Sequence, residues 1–215
     1  MDGEILSIMS TDAQMNNPQP KIEKKPSYFS LPDCILMAML AALGVAVKAV
    51  VTPLAQIITG PLFIPGGAVA GGFYMLFLVL ATSLTGKRGA ALLTALVQAV
   101  LVTIGGVGGS HGAASLLTYT APGLAVELVF LLLYRHRACC PLCCFLAGMC
   151  ANLAGCLAVN LAIFRLSALP LLLALSVAAL AGGLGGLIAH GVAKNLQKLG
   201  LARKWSKHES SQPQQ

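Results

Sequence analysis

Six polar side chains interrupt the apolar stretches of this 215-residue chain: Lys48, Gln98, Glu127, Asn152, Asn160 and His190. A charge in the middle of a membrane helix costs ~2.5–3.5 kcal/mol on insertion scales, so it faces a bundle interior or a water-filled cavity and marks a functional site by default. Lys48 and Glu127 both fall well inside such stretches. They are expected to face one another or to share a polar cavity; the alternative is a buried ion pair that only fixes helix packing. Asn152 and Asn160 are eight residues apart and share one helix face. They either contact a solute or join helices through hydrogen bonds worth ~1 kcal/mol, and Gln98 is open to the same two readings. His190 falls near a helix end, where an interfacial or structural role is expected.

Between the third and fourth apolar runs lies "GGVGGSHG", residues 105–112. Its glycines permit close backbone approach to a ligand, and Ser110 and His111 supply polar contacts; the alternative is a flexible connection. Adjacent residues rarely form a nucleophile–base pair, and no third orienting group is evident, so hydrolysis is set aside. Six of the seven cysteines fall between residues 139 and 156, starting with "CCPLCC". Cys140 and Cys143 form a C-x-x-C, but no second such pair or nearby histidine pair completes a metal site. Packing as small hydrophobes, or acylation at the membrane interface, is the favoured reading.

These residues need elements to hold them. The chain is 57% hydrophobic and 10% charged, with a mean hydropathy of +0.81, against about 25% charged residues in soluble domains. A bilayer core needs ~20 apolar residues per helix. Six runs meet or approach that, at about 32–58, 66–85, 89–106, 114–134, 142–164 and 168–193. They are too long and too little alternating for a barrel. The expected fold is therefore all-α: a polytopic membrane protein of six transmembrane helices in a compact bundle. It would occupy residues 31–193, between a disordered cytoplasmic tail at 1–30 and a basic cytoplasmic tail at 194–215 whose Trp205 can anchor at the headgroups. The sequence "AGGLGGLIAHG" in the last run suits close helix packing.

With the N-terminus inside, twelve of the 14 basic residues fall on the cytoplasmic side, including Lys87, Arg88, Arg135 and Arg137. Only Arg165 falls outside, and Lys48 is within the first helix. Both termini are thus expected in the cytoplasm of a multi-pass cell-membrane protein. The net charge of +7 reflects topology and contact with anionic lipid rather than nucleic-acid binding.

The stretches "GPLFIPGGAVAGGFYMLFLVL", "GKRGAALLTALVQAVLVTIGG" and "GGSHGAASLLTYTAPGLAVELVF", in that order and spacing, resemble the S component, the substrate-binding membrane subunit, of energy-coupling factor (ECF) transporters. More narrowly they resemble the YkoE-type S components, which are associated with thiamine or its hydroxymethylpyrimidine precursor. The likeness covers about residues 31–193. It implies a non-enzymatic subunit that captures a vitamin-like solute and joins a transmembrane coupling protein and two cytoplasmic ATPases. A small-residue ridge on the first helix, mapping to Ala38, Ala42 and Ala46, would contact that partner. A pyrimidine would stack on Phe63, Phe73, Tyr74 or Tyr119. Nickel or cobalt is not expected, since the chain starts Met1-Asp2 with no early histidine.

Taken with the polar residues above, the expected substrate site comprises Lys48, Tyr74, Gln98, His111, Tyr119, Glu127 and Asn160, with no cofactor and no metal. The chain lacks G-x-x-x-x-G-K-[ST], so ATP hydrolysis is left to partners. Two other readings stay open: a self-sufficient secondary transporter with a Lys48/Glu127 proton relay, and a membrane assembly protein without a ligand.

Overall fold

The computed structural model describes residues 29–62, 65–106, 114–133 and 140–199. Those residues form six α-helices and no strand: α1 (Leu31–Thr59), α2 (Gly66–Thr85), α3 (Ala90–Gly105), α4 (Ala114–Leu132), α5 (Pro141–Val159) and α6 (Ala168–Lys198). A 3-10 turn, Gly60–Leu62, follows α1, and a π-helical turn, Asn160–Phe164, extends α5. Five of the helices are long and apolar enough to cross a bilayer. The exception is α3, whose 16 residues span ~24 Å, short of a hydrocarbon core of ~30 Å. The structure thus holds the six expected helices, five of them of full spanning length and the sixth, α3, shorter. The last helix also runs to Lys198, past the expected boundary at 193.

Side-chain size is sorted opposite to the pattern of a water-soluble core. The interior is built largely from alanine, including Ala41, Ala70, Ala95, Ala147 and Ala178, while Leu31, Ile57, Ile58, Ile104 and Leu161 point outward. Such a surface fits a hydrocarbon solvent, where close packing rather than apolar burial holds helices together. The central helix is α2, which packs against each of the other five. Two glycine contacts set its spacing and that of its neighbours. A Cβ on Gly72 would strike the backbone of Ala181 in α6, and one on Gly148 in α5 would strike Gly182. Asn152 ties the same three helices together: its Nδ2 donates to the carbonyls of Ala68 in α2 (2.9 Å) and Ala178 in α6 (2.8 Å).

One end of the bundle gathers charge. The Asp33 carboxylate accepts from the Ser30 backbone N–H (3.0 Å) and the Ser30 hydroxyl (2.6 Å) at the start of α1. It also pairs with Lys87, in the α2–α3 connection, at 2.7 Å. Lys87, assigned from sequence only to the positive side of the membrane, therefore also pins α1 to that connection.

Candidate functional site

A cavity of about 350 Å³ opens at the other end, among α1, α2, α4 and α5. Its volume is at the lower end of the ~300–1,000 Å³ typical of small-molecule sites. From α1 come Lys48, Thr52 and Gln56, spaced i, i+4, i+8 and so on one helix face. From α2 come Gly67, Ala68, Tyr74 and Met75; from α4, Thr118 and Tyr119. The end of α5 adds Asn152, Gly155, Cys156 and Asn160.

Lys48 is only 8% exposed. Its Nζ lies 4.1 Å from the centre of the Tyr119 ring and 5.6 Å from that of Tyr74, within reach of a cation–π contact. Among the described residues no carboxylate pairs with it; the ion pair found there is Lys87–Asp33. The Thr52 Oγ1 and the Tyr119 hydroxyl are buried without a hydrogen-bond partner. Buried polar atoms are normally satisfied by protein, water or ligand. The other polar groups of the wall hold the cavity's shape. Tyr74 donates to the Gly67 carbonyl (3.1 Å), Gln56 Oε1 accepts from the Gly66 N–H (3.0 Å), and Asn160 Oδ1 accepts from the Leu166 N–H (2.8 Å). The last bond closes the turn in which Arg165 adopts a left-handed φ of 47°.

Of the residues expected at the site, Lys48, Tyr74, Tyr119 and Asn160 line this one cavity. Gln98 does not: it is buried between α1 and α3, against Gly44. Glu127 does not either. Its Oε1 accepts the Ala91 N–H at 2.9 Å, so the carboxylate sits on the N-terminus of α3, at the charged end of the bundle. The expected Lys48–Glu127 partnership is corrected accordingly. A carboxylate is favoured at a helix N-terminus by unpaired N–H groups and the helix dipole, and that is what offsets its partial burial. His111, Ser110 and Phe63 lie outside the described residues, and Phe73 is exposed on the outside of α2. His190 faces Cys144, Nδ1 to Sγ 4.0 Å. Among the described residues no three His, Cys, Asp or Glu side chains come together as a metal group.

Sequence reading missed Thr52, Gln56 and Thr118. The signal for the first two was present, since they repeat the position of Lys48 one and two turns along the helix. Ala38, Ala42 and Ala46 all lie exposed on α1, while Met37, Leu40, Ala41, Gly44 and Lys48 form its buried face. The ridge therefore does not serve packing within the described bundle.

The fold of this bundle is shared with a solved structure, "Crystal structure of an S-component of ECF transporter", which superposes with a TM-score of 0.68. The two chains are 22% identical, and the match covers 80% of this chain and 88% of that one. Residues 32–154 match the family described as "ABC-type cobalt transport system, permease component", and the chain belongs to that family of multi-pass membrane proteins. No curated protein matches the chain.

Proposed function

We propose that this protein is the solute-capturing S component of an ECF-type ABC uptake transporter, and that the cavity beside Lys48 is its binding site. The observation that carries this reading is the cavity itself. One face of α1 and the ring of Tyr119 direct an ammonium and two unsatisfied hydroxyls into a space of about 350 Å³. A ligand that fills it would satisfy those groups.

The cavity lies at the end away from Lys87 and Asp33, which the distribution of basic residues assigns to the outside. The subunit would thus meet its solute there. The exposed Ala38, Ala42 and Ala46 ridge would dock the transmembrane coupling protein, since small side chains allow close helix approach. Two cytoplasmic ATPases would supply the energy.

For the solute, a vitamin-sized organic molecule is favoured. The tyrosine rings suit a flat heterocycle such as hydroxymethylpyrimidine, whereas the fixed positive charge of thiamine would face the Lys48 ammonium. Cobalt, which the family's description names, meets the same charge. The proton-relay reading is disfavoured, because Glu127 accepts from the Ala91 N–H and does not line the cavity with Lys48.

The experiment is thermal denaturation of the purified protein in detergent across a panel of vitamins and their precursors. A ligand that binds only the folded state raises the melting temperature. Stabilisation by at least one organic solute is expected. A panel with no effect, together with uptake that needs no ATPase partner, would contradict the reading.

A further inference from the structure

We infer that the solute carries an anionic group, a carboxylate or a phosphate monoester, held by the Lys48 ammonium with the hydroxyls of Thr52 and Tyr119 beside it. The inference rests on the cavity being the solute site. Its basis is a missing counter-ion.

Lys48 is more than nine-tenths buried, and removing an ammonium from water is costly unless a partner charge is present. The faces of Tyr119 and Tyr74 offset part of that cost. A full negative charge would offset more, and the helical bundle has none to give. Of seven acidic residues in the chain, only Asp33 and Glu127 fall within the described helices. Asp33 is paired with Lys87, and Glu127 caps α3, both at the opposite end. The other five lie in the segments before Phe29 and after Leu199.

Thr52 strengthens the case. It is one turn from Lys48 on the same face, and its Oγ1 and the Tyr119 hydroxyl lack partners. Each can donate to an oxyanion. An ammonium and two hydroxyl donors on the wall of one cavity, with ring faces alongside, fit a planar ring bearing an acidic substituent. The same arrangement disfavours a quaternary nitrogen or a divalent cation, because nothing on the described wall of the cavity carries a negative charge.

The test uses benzoate, benzamide and benzamidine, which share a shape and are anionic, neutral and cationic. A second pair, pyridoxine 5′-phosphate and pyridoxine, separates phosphate from carboxylate as the source of the charge. Affinities are measured by calorimetry on the full-length protein in detergent, for wild type and Lys48→Met. Benzoate is expected to bind at least about tenfold tighter than benzamide, as for a charge-assisted hydrogen bond, with benzamidine weakest. The preference should collapse in Lys48→Met. A larger gain for the phosphate pair than for the benzoate pair assigns the anion as phosphate; the reverse assigns carboxylate.

Benzamide equal to benzoate, benzamidine bound best, or a preference that survives Lys48→Met would overturn the inference. If Lys48→Met does not fold, the wild-type ranking still decides. Neutral vitamins that bind where every anion fails would leave the cavity reading standing and end this one. Silence from the probes and the vitamin panel alike would end both.

Discussion

The Glu127 carboxylate accepts a hydrogen bond from the Ala91 backbone N–H at 2.9 Å. A carboxylate expected at the substrate site is the cap of a neighbouring helix. Gly89 precedes α3 with a φ of 85°, a left-handed conformation that glycine adopts without strain, and it offers no side chain to accept from the first amides. Glu127 supplies that acceptor from α4. Glu127→Gln keeps the acceptor and removes the charge, so a loss of about 0.5–2 kcal/mol is expected. Glu127→Leu leaves a buried N–H unpaired and should cost roughly 1–3 kcal/mol. Thermal denaturation in detergent checks both. Solute affinity of the folded protein should stay near wild type; a strong loss of affinity in Glu127→Gln would return this residue to the site.

Ala42 is exposed in the middle of the α1 ridge. Ala42→Leu should leave stability within about 0.5 kcal/mol, as for a surface change that disturbs no core packing, buried hydrogen bond or strained backbone. It should sharply reduce co-purification with the transmembrane coupling protein, because the larger side chain separates helices that must approach closely. Normal assembly of Ala42→Leu would free the ridge from a docking role.

Cys140 stands just before α5, where the backbone N–H groups of Cys143 and Leu142 draw its thiol below the ordinary value. Thiolate is the reactive form. A lowered thiol therefore reacts at lower pH. In a single-cysteine variant that retains Cys140, maleimide labelling should reach half its maximal rate at a lower pH than glutathione does. Labelling by an impermeant reagent is expected in inside-out vesicles and not in right-side-out ones. The opposite sidedness would invert the topology.

The helices were legible because lipid demands long apolar runs, and their ends follow from Pro and Gly. Gly66–Thr85 agrees with the sequence expectation at both ends. What failed was depth. Lys48 lies roughly 25 Å of helix from Leu31, whereas Glu127 lies only ~8 Å from Leu132. If α1 leaves the cytoplasmic side and α4 returns to it, those distances already place the two charges at opposite ends. Reading both as simply "inside a helix" discards the direction of the chain. The cap on α3 was harder to foresee, because nothing in the sequence near Ala91 identifies a partner from α4. The cavity was half legible: Lys48, Tyr74, Tyr119 and Asn160 are each visible as polar or aromatic interruptions, but their convergence depends on how α1, α2, α4 and α5 pack.

A solute in the cavity beside Lys48 must compete with any side chain built into that space. Gly67 lines the cavity, and a Cβ there meets only the Tyr74 hydroxyl, at 3.6 Å. Gly67→Leu thus places a branched side chain in the cavity without striking backbone. The measurement is binding of the solute identified by the stabilisation panel, by calorimetry, to wild type and Gly67→Leu at matched folded fraction. The variant is expected to melt at or above the wild-type temperature and to lose detectable binding. Wild-type affinity in a folded Gly67→Leu protein would contradict it and place the solute elsewhere.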